Sequence, residues 1–285
     1  MGSDLRERLT RRRKGAIRSG GRMRAFFEGV KLHPAVFVAS AVAVTAVAVC
    51  LSMYTIGATA RYDGVELGTV HLLSSYAAVN YPEYAYDYAR LGILMFGVKS
   101  SPADYLREDL QPMPVMTLKA RITSVREIGP GETVSYGRIF RAERPTKVAS
   151  VSIGYADGIH RSASGFDMQG AKHVEKAGGP VRVMTSAGPR LLHVCGRVCM
   201  DQFIVDLHGS AAELGVHEGD TVELFGPGRG EQYGEPTADD WARAADTISY
   251  EVFTCLRNRI PRLYLHAADV LPAADLAKLD PASLL

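Results

Sequence analysis

Leu191-Leu-His-Val-Cys-Gly-Arg-Val-Cys-Met-Asp-Gln-Phe-Ile-Val-Asp-Leu207 is the stretch on which the fold turns. It is rich in Val, Ile, Leu and Cys and carries one glycine, a composition that suits strand better than helix. Val115–Val125, Thr146–Ile153, Val181–Met184 and Asp220–Phe225 have the same character. Short turns of Gly, Pro and Asp separate them, so residues 113–267 are expected to form a mostly β domain, with a small barrel as one way to close it. His193, Cys195 and Cys199 could suggest metal ligands, but zinc sites usually repeat a tighter ligand pair, so small thiols in a core strand are expected and no metal. The remaining cysteines, Cys50 and Cys255, complete no disulfide framework, and a reducing compartment follows.

Toward the C-terminus, Thr237-Ala-Asp-Asp opens a helical segment, with Thr237 as N-cap and Asp240 at the capping-box position. Trp241, Ala244, Ala245, Ile248, Val252 and Leu256 recur at helical spacing and form one face at about 100° per residue. Tyr250 falls off that stripe, unless the helix breaks near Thr247 and puts Tyr250 in a new first turn. Residues 268–285 read as a tail. Upstream, residues 61–112 read as α/β. Glu66–Leu73 is a strand candidate, Tyr81-Pro-Glu83 starts a helix-like stretch, and Leu91–Val98 has the apolar run of a buried parallel strand. That order suits the end of an α/β barrel, and residues 100–112 read as its connector.

Residues 1–60 are of another kind. Residues 1–31 carry ten Lys and Arg against three acids, and the rest of the chain carries 23 basic and 28 acidic residues, a net of −5. The globular part is mildly acidic, which excludes nucleic-acid binding as its main task. Pro34–Ala60 is 27 residues without a charge, long enough to cross a bilayer as a helix behind a basic cytoplasmic flank. Three readings stay open here: a membrane anchor, a frame-shifted stretch foreign to the protein, and a buried soluble segment.

Four segments carry chemistry: Thr133-Val-Ser-Tyr-Gly-Arg138, Ile153-Gly-Tyr-Ala-Asp-Gly158, Gly196-Arg-Val-Cys-Met-Asp-Gln202 and Thr247-Ile-Ser-Tyr-Glu-Val252. Singly, each has a structural reading; Asp157-Gly158, for instance, is a common turn pair. In this order and spacing they resemble the C-terminal domain of alanine racemases. His71-Leu-Leu-Ser-Ser75 and Tyr88-Ala-Arg-Leu-Gly-Ile-Leu-Met-Phe-Gly97 resemble the last strands of that family's (β/α)8 barrel. The resemblance covers residues 66–265. It implies an incomplete end of a TIM-type barrel followed by the racemase β domain.

The resemblance also implies roles. Tyr136 matches the catalytic tyrosine that exchanges the α-proton on one face of the substrate, converting L-alanine to D-alanine. Arg90 matches the arginine facing the pyridine nitrogen of pyridoxal 5'-phosphate. Ser75, Gly92, Ile93 and Tyr250 match the positions that hold the cofactor's phosphate. Tyr155 matches a tyrosine at the substrate entrance, and Met200 a position whose backbone meets the substrate carboxylate. Racemisation needs an acid/base on each face, and a free phenol with a pKa of about 10 needs a nearby cation to work near neutrality.

Two departures stand out. Ser74 occupies a place where most alanine racemases carry Asn, and Ser74–Tyr76 with Asn80–Glu83 look like membrane-linked serine/alanine racemases, so serine joins alanine as a candidate substrate. No V-V-K-A-x-A-Y-G-H-G segment, which carries the cofactor lysine in the family, occurs in residues 1–285. The expectation is a truncated chain without the Schiff-base lysine, inactive alone. It would be a homodimer or would complement a separate barrel chain, with Tyr136 acting in trans. The contrasting reading is a membrane-anchored, non-catalytic binding or regulatory module.

Overall fold

The computed structural model describes residues 68–99, 110–168, 174–209 and 214–279. The Pro34–Ala60 run and most of the 100–112 connector lie outside them. Leu73–Leu285 forms one compact unit. Its barrel follows two short upstream strands, β1 (His71–Ser74) and β2 (Tyr88–Arg90).

Six antiparallel strands close into the barrel: β3 (Leu118–Ile128), β6 (Thr146–Val151), β9 (Pro180–Thr185), β10 (Gly188–Cys195), β11 (Phe203–Asp206) and β12 (Thr221–Phe225). Their order around it is β10-β11-β6-β3-β12-β9. Two hairpins interrupt the sequence, β4 (Thr133–Val134) with β5 (Phe140–Arg141) and β7 (Phe166–Met168) with β8 (Val174–Lys176). Closure removes the sheet edges that an open β domain of this size would expose. Alternation decides which residues point inward. Ala149 and Val151 of β6, Val181 and Val183 of β9, Leu192 and Val194 of β10, and Phe203 and Val205 of β11 share the central core.

On β3 the inward set begins as Leu118, Ala120 and Ile122 and continues at Val125. The change of parity comes from a register shift between Ile122 and Ser124, because one extra residue turns every later side chain to the other face.

The segment before the barrel corrects the α/β reading in detail. The helix α1 runs over Ser75–Asn80, and a single 3-10 turn over Pro82–Tyr84 precedes β2. Leu91–Val98 is not a buried strand: Ile93–Phe96 is a 3-10 turn flanked by Gly92 and Gly97, and Met95 is 68% exposed. Gly97 takes φ 71° and lies so close to Met113 that any Cβ would overlap the Met113 carbonyl. An apolar run of this length fits strand or turn equally, and the two glycines decide for the turn.

The helix α2 (Ala238–Ala245) closes one side of the barrel. Its Trp241 is buried, donates its indole N–H to the Leu224 carbonyl at 2.6 Å, and packs on Phe203. Gly179 makes room for it, since a Cβ there would stand 2.6 Å from the Trp241 ring. The sequence expectation for α2 holds at its start: Thr237 and Asp240 form a reciprocal capping box. At its end the second of the two readings, a break near Thr247, is the one found. The helix stops at Asp246 in the left-handed region, and α3 (Ser249–Thr254) begins anew. Ile248 therefore leaves the apolar stripe and is 59% exposed, while Tyr250 sits in the first turn of α3. The long Leu191–Leu207 strand is two strands, β10 and β11, joined by a loop over residues 196–202. The C-terminal tail carries two single-turn helices, Ala267–Val270 and Ala273–Leu276.

A second, smaller core lies on the outer face of the barrel. Cys195 of β10, Ile204 of β11, Val148 of β6 and Ile128 of β3 point outward and are buried under the β4–β5 hairpin with Val134 and Ala142. Cys195 thus behaves as the small apolar core group expected, and burial above all pushes its thiol pKa up.

Candidate functional site

The hairpin β4–β5 lifts Tyr136 out of the fold. Val134, buried in the outer core, anchors the hairpin, and the next residues break from strand geometry. Ser135, Gly137 and Arg138 all have positive φ (64°, 77° and 51°). Positive φ costs roughly 1–3 kcal/mol at a non-glycine residue and persists only where the surroundings enforce it. Here the enforcement is visible. The Ser135 hydroxyl donates to the Arg197 carbonyl at 2.6 Å and lies 3.2 Å from the Cys199 Sγ. Gly196 (φ 75°) packs against Ser135 so closely that a Cβ would stand 3.0 Å from it. The Arg197 guanidinium lies beside Gly137, 3.4 Å from where a Cβ would be. The phenol of Tyr136 is held on a rigid turn, 73% exposed, with two arginines in adjoining segments.

The same 196–202 loop carries Met200 and meets the loop of Tyr155. The Tyr155 and Ala156 N–H groups donate to the Cys199 and Met200 carbonyls at 3.0 and 2.9 Å. Gly154 permits this approach, because a Cβ there would be 2.4 Å from both carbonyl oxygens. Buried Asp157 closes the loop by accepting from the Gly154 N–H at 2.9 Å, and Arg259 reaches both Asp157 (3.3 Å) and Asp201 (2.7 Å). Tyr136, Tyr155 and Met200 therefore belong to three loops keyed to one another.

A second group forms upstream. Buried Ser75 accepts the Gly92 N–H at 2.9 Å across seventeen residues of chain. Ile93 leads the following 3-10 turn, where leading N–H groups have no partner inside the turn. Nothing stands within 4 Å of where a Gly92 Cβ would be, so there is room beside this backbone for a group such as phosphate. The residues fit a phosphate chemically, since a hydroxyl proton and the leading N–H of a turn are suitable donors and the Gly92 N–H can exchange Ser75 for a phosphate oxygen. Arg90 is exposed at the end of β2, two residues away. The turn is fastened to α3: Phe96 stacks on Phe253 at 5.6 Å, and Phe253 meets core Phe225 edge-on at 5.7 Å. Phe253 lies one turn beyond Tyr250.

Sequence reasoning misses Ser135, Arg197 and Arg259. A serine before the tyrosine carries no signal for positive φ, and the two arginines act on residues at least 58 positions away. Their only sequence signal is a place inside or beside the four motifs.

Comparison with known proteins agrees in one direction. The family described as alanine racemase, C-terminal domain, matches residues 115–264. The alanine racemase of Mycolicibacterium smegmatis is 40% identical over 208 residues, covering 73% of this chain and 47% of that protein. The alanine racemase of Mycobacterium tuberculosis is 42% identical over 210 residues, covering 74% and 48%. Among solved structures, alanine racemase from a D-cycloserine-producing Streptomyces lavendulae matches with a TM-score of 0.61 at 36% identity, covering 75% of this chain and 50% of that one. Alanine racemase from Bacillus anthracis, solved with bound L-Ala-P, matches with a TM-score of 0.57 at 27% identity, covering 72% and 46%. The chain spans about half the length of these relatives.

Proposed function

Since the chain belongs to the alanine racemase family, we propose that residues 113–267 supply the tyrosine-bearing half of a pyridoxal 5'-phosphate-dependent racemase site acting on alanine. Residues 61–112 supply part of the cofactor's phosphate cup. The observation that carries this reading is the rigid presentation of Tyr136 on loops shared with Tyr155 and Met200. A surface tyrosine with no task needs neither the positive φ at Ser135 nor the close packing of Gly154 and Gly196.

When bound, the cofactor draws negative charge from the substrate's α-carbon and so makes its proton removable. The chain's own residues do the rest. Ser75, the Ile93 N–H and the Tyr250 phenol would donate to phosphate oxygens, joined by the Gly92 N–H once it is released from Ser75. Arg90 would hold the pyridine nitrogen and, being permanently charged, would donate a hydrogen bond there without surrendering a proton. The Tyr136 Oη takes or returns the α-proton on one face. Tyr155 narrows the entrance, and the Met200 backbone meets the substrate carboxylate. Residues 1–285 hold no lysine in the family's cofactor motif, and by family resemblance Tyr136 would serve a lysine on another subunit, within a dimer or a complementing pair.

The test is complementation. Purified chain with cofactor and L-alanine should show no racemisation. Co-expression with a racemase barrel that carries the lysine, in a protein whose own catalytic tyrosine is Phe, should restore it. Tyr136→Phe in this chain should then remove about 10²- to 10⁴-fold in kcat, the usual worth of one acid/base, with thermal stability unchanged because the side chain is exposed. Restored activity that survives Tyr136→Phe would sink the reading. Serine offered in place of alanine tests the Ser74 departure. Among the described residues no helix is long and apolar enough to cross a membrane, and Pro34–Ala60 lies outside them, so membrane-fraction assay of the full chain decides the anchored alternative.

A further inference from the structure

We propose that His160, Glu251 and Cys255 form a binding site for a divalent transition-metal ion of the zinc class. The sequence alone predicts no metal, and the group around His193 is not the one that assembles. Among the described residues, His160, Glu251 and Cys255 bring one imidazole nitrogen, one carboxylate oxygen and one thiol sulfur within 4.8 Å of one another.

The site is built rather than accidental. Glu251 and Cys255 stand one turn apart, with the Cys255 N–H donating to the Glu251 carbonyl at 2.9 Å, so their side chains share a face. His160 comes from the loop that follows Gly158. That loop is locked onto the helix end: Gly158 has φ +109°, and a Cβ there would lie 2.1 Å from the Cys255 carbonyl oxygen. The backbone thus holds the imidazole over the helix whether or not an ion is bound.

A second observation points to a ligand. The His160 Nε2 is sealed from solvent and makes no hydrogen bond. Its nearest acid, the Glu251 Oε2, stands at 3.5 Å and is already bonded by the Thr247 hydroxyl. A buried nitrogen left unsatisfied costs about 1–3 kcal/mol and calls for a partner. A metal ion accepts its lone pair directly.

The chemistry suits zinc. A carboxylate, a thiolate and a neutral imidazole carry two negative charges against the ion's two positive ones. Bonds of about 2.0–2.3 Å in a tetrahedron put ligand atoms roughly 3.4–3.8 Å apart. The His160–Glu251 separation of 3.5 Å already fits. The three ligand atoms start within 4.8 Å of one another, and the Glu251 side chain is half exposed and so has room to turn. The fourth position stays open to water. An ion here would tie the loop of Tyr155 to the helix of Tyr250, so it would stiffen the two pieces against each other.

Cobalt titration of the purified full chain tests this, because thiolate-bound Co²⁺ has charge-transfer absorption that aquo-cobalt lacks. One equivalent should give that absorption, and Zn²⁺ should displace it and raise the thermal midpoint. Cys255→Ser should abolish the absorption. His160→Gln should weaken binding by about tenfold or more, as loss of even an outer partner does. Cys199→Ser and His217→Gln, which lie outside the cluster, should bind as the parent does. Circular dichroism checks each variant's fold; should Cys255→Ser unfold, Cys255→Ala and Glu251→Gln decide the same point. Absence of thiolate absorption at one equivalent, or its persistence without Cys255, would overturn the proposal.

Discussion

The barrel and the segment before it carry the two halves of the proposed site on different foundations. In the barrel, each strand is held by two neighbours and its inward residues join one core of fully buried Val, Leu, Ile and Phe. Between Leu73 and Val98, only Leu73, Ile93 and Val98 are buried hydrophobics, and the elements are the six-residue helix α1, two 3-10 turns and the three-residue strand β2. Tyr136 therefore stands on rigid ground, whereas Ser75 and Gly92 are placed by the two-stranded β1–β2 sheet, a hydrogen bond between them, and an aromatic stack. Chemistry that moves a proton needs fixed geometry, but a phosphate can draw its donors together on binding.

The difference breaks most sharply at Phe203, which is fully buried and touches Trp241. Phe203→Ala should cost about 3–5 kcal/mol, read as a lowered urea midpoint, because the barrel cannot collapse around the void. Met95→Ala, on the exposed turn, should stay within about 0.5 kcal/mol. Equal costs would mean that the upstream segment is as firmly built as the barrel.

A smaller effect sharpens where the two regions join. Phe253 is the bridge between Phe96 and Phe225. Phe253→Leu should cost about 1–3 kcal/mol, from two aromatic contacts worth about 0.5–1.5 kcal/mol each. It should also speed hydrogen exchange at the Gly97 and Val115 amides, which bond around Phe96, while Val205 in the barrel keeps its rank as a slow exchanger. Unchanged exchange at Gly97 would show that the stack does not fasten the turn.

Legibility follows the same divide. The barrel strands are readable because alternation of Val, Leu and Ile reports a buried face directly, while the break between β10 and β11 and the change of parity on β3 escape that pattern. The upstream turn is easily misread because Leu91–Val98 has the composition of a strand, and only its contact with Met113 makes Gly97 decisive. Ile248 is misassigned because periodicity runs on through a helix stop that Asp246 imposes by backbone conformation. Tyr136, Tyr155 and Met200 emerge from motif order, yet the reason they are rigid stays hidden in the sequence. Ser135 depends on a carbonyl 62 residues away, and His160 meets Glu251 and Cys255 across more than 90. No local pattern encodes such pairings.

The smallest expected effect probes the barrel end that holds the outer core. The Asp206 carboxylate accepts from Thr146 at 2.6 Å and from the His208 N–H at 2.9 Å, and the His208 ring stands 3.2 Å away. Burial pushes the Asp206 pKa up, but the bonds from His208 and Thr146 outweigh it and the net shift is downward. The hydrogen bond to Asp206 raises the His208 pKa, against a smaller opposing effect of burial. The signs follow by linkage. Stability from Asp206 is present above the ordinary carboxylate pKa and is lost as pH falls through its depressed value. Stability from His208 is full below about pH 6.5, the ordinary imidazole value, and is lost as pH rises through its elevated one. The parent chain should therefore lose stability on the alkaline side of neutrality. His208 is half exposed, so screening holds the loss to about 1 kcal/mol or less. In His208→Gln the alkaline slope should flatten while the acid-side loss, which Thr146 and Asp206 still carry, remains. An alkaline slope unchanged by the substitution would mean that the ring, for all its proximity, contributes nothing to holding the strand ends together.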